Sequence, residues 1–514
     1  MRTKKALINS SVNVISFLIS FIPNIIIRKI FLETLGSELL GLNSLYTNII
    51  GWLSIFELGI GTAIIYSLYK PYAENNQVKV RAYIRFYSNF YKVIGFVILG
   101  IGICIVPFLS FFINGTINLN LVNLGFILFL LNSFISYIFS SKICILNVAQ
   151  ETYKVTIGAT ISKLLIVIIQ VGMLKIYPSF IAFAFIQFIV NLIYFISINI
   201  YILKRYPWLS EKKDNLKKNE KKSLVKNIRA MFMHKIGTLV VNSTDNIVIS
   251  KFIGLSILAN YTNYQIIIAA LQSMISMGLA GLTASIGNLL STGNKQKAYD
   301  IHKKIFFVNF WCVSFIVIIL YNTLNQFIGL WVGDEYLLDQ LTYVVILINT
   351  YFASMRGSVE QFQNGAGVFY QDRYAPICEA IINLVLSLIL VNYIGIVGVF
   401  IGTLISNFTV VFWTKPYVVY KYVFDKKLIN YYKMYFKYLL IGILPLIVTS
   451  YITNSLKTNY NMVSFVMNCL LNIIIINGIY SVIFFRTDEF KYYLSIIKSI
   501  LKNIQVNKFI KTAS

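Results

Sequence analysis

Fourteen apolar blocks, centred near residues 18, 55, 102, 132, 166, 190, 242, 273, 317, 353, 385, 405, 446 and 473, run through this 514-residue chain. A bilayer core of roughly 30 Å takes about 20 helical residues, so each block is long enough to cross it. Backbone in lipid must satisfy its own hydrogen bonds, which leaves helices or a closed barrel. Barrel strands alternate in polarity, and the runs from Ile103 to Ile113 and from Leu470 to Ile476 do not. The expected fold is an all-α integral membrane protein with about 14 transmembrane helices. Composition agrees: 57% of residues are hydrophobic and 12% charged, about half the charge of an average soluble domain. The net charge of +26 would suggest nucleic acid in a soluble chain. Here the basic residues fall between apolar blocks, and no nucleic-acid partner is expected.

The basic residues also set an orientation. With both termini in the cytoplasm, 40 of the 45 Lys and Arg fall on or near the inner side, leaving Arg28, Lys29, Lys175, Lys251 and Lys457 toward the outside, as the positive-inside rule requires. Met1 to Lys5 is a short basic lead into Leu7 to Ile27, which lacks a small-residue cleavage site and reads as an uncleaved span. The densest basic run, Lys204 to Arg229, holds ten Lys and Arg. It reads as a linker between two halves, either touching anionic lipid headgroups or serving as a solvated topology signal. The expected divisions are 1–203 (N-lobe, six spans), 204–227 (basic linker), 228–423 (C-lobe, six spans), 424–485 (two further spans) and 486–514 (basic cytoplasmic tail). The five cysteines form no CxxC pair and there are two histidines, so neither a disulfide framework nor a zinc site is expected. Frequent Ile, Asn, Lys and Tyr hint at an AT-rich bacterial genome.

An internal repeat supports the two halves. Asn24-Ile25-Ile26-Ile27-Arg28-Lys29 matches Asn246-Ile247-Val248-Ile249-Ser250-Lys251 at an offset of 222, and Gln150-Glu151-Thr152-Tyr153 matches Gln371-Asp372-Arg373-Tyr374 at an offset of 221. Nearly equal offsets at equivalent places in the span count argue for duplication. Six spans separate the copies, so the halves share one orientation: two parallel six-helix lobes around a central cleft, with two C-terminal helices added. Such a pair suits alternating access.

Ionisable residues within spans cost about 2.5 to 3.5 kcal/mol each on insertion scales and usually face a cavity or a partner. Those here are Glu57, Lys142, Lys163, His234, Lys235, Asp245, Arg356, Glu360 and Glu379. Arg356, Lys163, Lys142, His234 and Lys235 offer donors to an anionic group, with Glu57 and Glu360 beside them in the same inward-facing cleft. Arg356 is best suited, because its planar fork holds phosphate oxygens in pairs. The lysines can equally snorkel to the inner interface, and Arg356 with Glu360, one helical turn on, can equally be a structural ion pair. Asp245, in the polar cluster Asn242 to Asn246, and Glu379, one turn from Asn383, carry the oxygens that sodium or a proton requires. The alternative is interhelical hydrogen bonding.

Tyr46, Phe56-Glu57-Leu58-Gly59-Ile60-Gly61, Leu68-Tyr69-Lys70-Pro71, Ala73-Glu74, Thr244-Asp245-Asn246-Ile247-Val248-Ile249-Ser250 and Asp372-Arg373-Tyr374-Ala375-Pro376-Ile377 resemble the polysaccharide transporters, or Wzx-type flippases. These form part of the multidrug, oligosaccharidyl-lipid and polysaccharide (MOP) exporter superfamily. The resemblance implies a MATE/MurJ-like fold and an undecaprenyl-pyrophosphate-linked oligosaccharide as substrate. It also implies location in the bacterial cytoplasmic membrane, and a polysaccharide polymerase with chain-length machinery as partners alongside membrane lipids. By position, Asp245 matches a sodium-binding carboxylate of the seventh span in the similar peptidoglycan-precursor flippases. Glu379 with Asn383 would add a second contribution, in the order Glu-x-x-x-Asn where the pattern has Asn-x-x-x-Asp.

The expected function is flipping of such repeat units to the outer leaflet, for capsule, exopolysaccharide or O-antigen-type polymer, helped by membrane potential and coupling to Na+ or H+ with no cofactor. A cation-coupled drug exporter is the alternative, and a basic cleft argues against it. A membrane polysaccharide polymerase is the third. The outer loops near 114–120, 331–339 and 454–461 are short and carry no donor-binding DxD spacing, so no enzyme is expected.

Overall fold

The computed structural model describes residues 2–57, 60–113, 117–211, 214–216, 218, 220–221, 244–291, 293–368, 370–455, 461–495 and 498–499. Every regular element among them is helical. In chain order these are α1 (Arg2–Leu53), α2 (Ile60–Ala73), α3 (Gln77–Ile105), α4 (Leu119–Ser140), α5 (Cys144–Val148), α6 (Thr152–Ile176) and α7 (Phe180–Arg205). After a helical stretch at 244–252, here α8, come α9 (Leu255–Ala280), α10 (Thr283–Ser291), α11 (Lys295–Val332), α12 (Gln340–Met355), α13 (Gly357–Ala366), α14 (Ala375–Ile394) and α15 (Ile396–Ser406). The last are α16 (Phe412–Val418), α17 (Ile429–Ser455) and α18 (Met462–Phe484).

Eleven helical stretches among the described residues are long and apolar enough to span a membrane, so the chain is a multi-pass membrane protein. The three remaining expected blocks each have a reason. α1 runs 52 residues but is interrupted at Gly36, whose φ of 84° and ψ of 172° are not helical. The block near 55 then breaks again at the tight turn Ser54–Glu57 before α2. The block near 353 divides at Arg356 into α12 and α13. The block near 242 falls largely on 222–243, outside the described residues, together with His234, Lys235 and much of the linker.

Helix starts follow from local chemistry. Asn76, Asn118, Ser179, Asn294, Asp339 and Asn461 accept backbone N–H bonds at the N-termini of α3, α4, α7, α11, α12 and α18, satisfying donors that a helix leaves open.

The chain divides into two compact units, one comprising Met1–Thr262 with Pro376–Gly402, the other Asn263–Ala375 with Thr403–Ser514. In the first, α6 packs on α1 and α7, and α4 on α3 and α7. Gly41 permits the closest approach: a Cβ there would lie 2.0 Å from the Leu255 carbonyl oxygen of α9. The outward face of α1 is apolar, with Val14, Ile15, Leu18, Ile19, Ile22 and Ile26 exposed, as expected where the solvent is lipid.

In the second unit α11 is the central helix, packed by α12, α13, α17 and α18. Its core is aromatic: Phe306, Phe310, Tyr431, Tyr435, Tyr480 and Phe484 are all buried. A seam of side-chain amides and hydroxyls ties α17 and α18 to it. The Asn322 amide donates to Thr449 Oγ1 (2.9 Å) and Asn472 Oδ1 (2.6 Å), and its Oδ1 accepts from Ser450 (3.0 Å). One turn along, Asn468 donates to Gln326, which donates to Ser464. With no hydrophobic drive between helices in lipid, such bonds are what holds them.

Candidate functional site

The charged centre of the second unit forms where a helix breaks. α12 opens at the Asp339 cap and is 16 residues long, so at 1.5 Å per residue Arg356 stands about 24 Å along it. Arg356 ends α12, and Gly357 starts α13. A Cβ on Gly357 would lie 2.7 Å from Leu279 Cδ1, so the close contact at the break favours glycine. The Asn309 amide, buried on α11, donates to the carbonyls of Ser354 (3.2 Å) and Met355 (3.1 Å). It thereby adds a side-chain donor to carbonyls at the helix end, where the Arg356 backbone N–H also reaches the Ser354 carbonyl.

One turn past the break, Glu360 Oε1 lies 3.8 Å from Arg356 Nε and forms a short ion pair with Lys415 Nζ of α16. The side chains are 14% (Arg356), 34% (Glu360) and 22% (Lys415) exposed. Two cations thus share one carboxylate. Arg356 Nε and Nη1 are buried without a hydrogen-bond partner, as are the hydroxyls of Tyr351, Tyr431 and Tyr435. The Arg356 charge lies within electrostatic reach of the Tyr431 and Tyr435 hydroxyls. The Tyr435 ring packs 5.6 Å from that of Tyr431 and 6.4 Å from that of Tyr351. Lys415 is carried between two π-helical turns, Asn407–Val411 and Val419–Phe424, with Pro416 beside it. Such wide turns often mark functional positions.

The structure therefore brings Arg356 and Glu360 together and adds Lys415, Tyr351, Tyr431 and Tyr435, which the sequence reading did not single out. Lys415 was hidden because it sits near the end of an apolar block, where a lysine reads as an inner-interface residue. The wide turns, invisible in the sequence pattern, direct it to Glu360.

The other predicted residues lie in the first unit or outside the described residues. Glu57 ends the tight turn before α2 and accepts from the Tyr91 hydroxyl at 2.5 Å. Lys142 lies in the turn between α4 and α5, where burial and then the charge of Lys92 push its ammonium below the usual lysine range. Lys163 is exposed on α6. Asp245 follows Thr244 on α8, and the Thr244 hydroxyl donates to Asn383 Oδ1 of α14 at 3.3 Å. Glu379 lies one turn from Asn383 and is half-buried, so the predicted ion-coupling residues share the α8 and α14 region. His234 and Lys235 lie outside the described residues.

The linker also shows an arrangement that sequence reading missed. Arg81, buried at the start of α3, donates to Asp214 Oδ2 (2.7 Å), Glu211 Oε2 (3.3 Å) and the Trp208 carbonyl (3.0 Å), and Lys79 pairs with Glu220 at 2.8 Å. The few acidic residues of this basic segment fix its described part.

No family model matches the sequence, and no curated protein does. Solved structures do match. The lipid II flippase MurJ in an inward closed conformation aligns with a TM-score of 0.70 at 15% identity, over 92% of this chain and 98% of its own. A multidrug resistance MATE family transporter of the MOP superfamily, inward-facing, aligns at 0.60 and 14% over 76% and 91%. A MOP superfamily transporter from Pyrococcus furiosus, described as having a binding pocket of reverse polarity that suggests a different function, aligns at 0.51 and 13% over 82% and 95%. At these identities the likeness is one of fold, and the chain has the MurJ and MATE fold.

Proposed function

We propose that this protein is a transporter working by alternating access, and within that class a flippase of undecaprenyl-pyrophosphate-linked oligosaccharides of the Wzx type. It would serve capsule, exopolysaccharide or O-antigen-type synthesis in the bacterial cytoplasmic membrane, with both termini inside. The observation that carries the substrate class is the surplus positive charge at Arg356 and Lys415 against the single carboxylate of Glu360. A buried centre of this sign suits a phosphate-bearing headgroup and opposes a cationic drug. The match to a lipid II flippase over nearly the whole chain supports the same reading.

Moving the pyrophosphate outward across an inside-negative membrane gains about 2.3 kcal/mol per charge per 100 mV, so voltage assists. Asp245, Glu379 and Asn383 are proposed to couple Na+ or H+ to the return step, and a polysaccharide polymerase with its chain-length machinery to take the product. Cation-coupled export of drugs is the second reading, favoured by the MATE neighbours.

The test is deletion followed by mass spectrometry of lipid-linked oligosaccharides, with a membrane-impermeant reagent reporting their leaflet. Complete repeat units trapped on the inner leaflet, rescued by wild type and not by Arg356→Gln, are expected. Normal lipid pools with new drug sensitivity would instead establish the exporter.

A further inference from the structure

We propose that Glu360 is an internal stand-in for the ligand's anionic oxygen, so that loading of Arg356 and Lys415 by a phosphate group requires Glu360 to leave. The proposal rests on the flippase reading only in taking pyrophosphate as the ligand class.

Both cations address the same oxygen of Glu360, Lys415 by a hydrogen bond and Arg356 Nε at 3.8 Å. Glu360 is one helical turn from Arg356, so its reach is set by the start of α13 and not by the guanidinium plane. It satisfies Lys415 and leaves Arg356 Nε and Nη1 without a hydrogen-bond partner. In the same unit Tyr431 and Tyr435, both more than nine-tenths buried and packed ring to ring at 5.6 Å, also have unpaired hydroxyls. A single carboxylate oxygen cannot serve a guanidinium fork, an ammonium and phenol hydroxyls together. A phosphate group presents several acceptor oxygens around one centre and pairs in parallel with the arginine fork.

The exposures fit an exchange: Glu360 is the most open member of the triad and Arg356 the least. Glu360 can therefore swing outward while the donors stay fixed. A site whose competent form is present in about one molecule in ten binds about tenfold more weakly than the unblocked site. Removing the carboxylate's charge restores that factor.

The experiment uses the full-length protein purified in detergent, with inorganic pyrophosphate as probe and isothermal titration as readout. Glu360→Gln is expected to bind pyrophosphate about tenfold more tightly than wild type. Adding Arg356→Gln should abolish the gain, and adding Tyr435→Phe should weaken it. Should Glu360→Gln fail to fold, Glu360→Asp, which draws the carboxylate back by one methylene, is expected to bind more tightly than wild type. Equal or weaker binding by the folded variants overturns the proposal, as does a gain that survives Arg356→Gln. The two readings fail separately. Tighter binding together with unchanged lipid-linked oligosaccharides in the deletion strain refutes the flippase and leaves the exchange standing. Trapped inner-leaflet lipid without tighter binding does the reverse.

Discussion

Replacing Asn309 by Leu tests whether the break at Arg356 is held from α11. The substitution keeps the side chain's branching at Cγ and removes the two bonds to the Ser354 and Met355 carbonyls at 3.2 and 3.1 Å. Side-chain bonds between helices in membranes average about 0.6 kcal/mol and reach about 1.7, which brackets the loss between about 1 and 3 kcal/mol. Asn309 Oδ1 is itself buried without a partner, and Leu relieves that cost, so the lower half of the range applies, about 1 to 2 kcal/mol. In a folded unit of 150 to 250 residues, 1 kcal/mol moves Tm by roughly 2 to 4 °C. The second unit, Asn263–Ala375 with Thr403–Ser514, is of that size, which gives a drop of roughly 2 to 8 °C. Thermal unfolding of detergent-purified protein followed by size-exclusion chromatography measures it. Pyrophosphate binding by Glu360→Gln protein should weaken in parallel, because Arg356 follows directly on the released carbonyls. A Tm within 1 °C of wild type with unchanged binding would refute the claim that Asn309 holds the break.

The polar seam is expected to couple. Asn322→Ala removes three side-chain bonds and should cost about 2 kcal/mol at the same average, and Asn472→Ala added to it should cost less than the sum of the two, since they share a bond. Strict additivity in Tm would dissolve the seam as a unit. Gly41→Ala places a Cβ 2.0 Å from the Leu255 carbonyl and should destabilise by about 1 to 3 kcal/mol through overpacking, visible as lower yield of monodisperse protein. Unaltered yield and Tm would show that α1 and α9 need no close approach. Arg81→Gln loses charge-assisted bonds worth about 1.5 to 3 kcal/mol for a buried donor, and should speed trypsin cleavage within the Lys-rich linker. An unchanged cleavage rate would mean that Asp214 and Glu211 do not fix it.

What the sequence disclosed, and what it concealed, follows from the range of the forces involved. Apolar length announces a span regardless of its partners, so the all-helical membrane fold was legible, as was the pairing of Arg356 with Glu360, four residues apart, which survives the break between α12 and α13. Interruptions were not legible. The block near 55 reads as one span, with glycines at 59 and 61 that allow close packing or a local bend, yet the chain already turns at Ser54–Glu57, and the block near 353 reads as one span, yet ends and restarts at Arg356. Contacts distant in sequence meet at these breaks: Asn309 donates to the Ser354 and Met355 carbonyls of one, and Tyr91 donates to Glu57 at the other. The matching Gln-Glu and Gln-Asp motifs show the same division. Their offset was readable, while their work was not: the Asn9 amide donates to the Gln150 carbonyl and its Oδ1 accepts from Tyr153 N, and Asp372 accepts from Gln363.

The placement of polar groups explains why one charged centre stands out among so many buried side chains. Asn472 and Thr449 are polar and buried and Asn322 is half-buried, yet they bond to one another, so they build structure and ask for nothing else. Arg356 differs in two respects. Its charge is shared against a carboxylate that Lys415 also holds, and its Nε and Nη1 lack acceptors. A purely structural ion pair in low dielectric is strongly favoured to close its remaining hydrogen bonds, because each open donor is expensive there. Open donors with an unbalanced charge are what the proposed phosphate contact requires, because a phosphate group brings several acceptor oxygens to one centre.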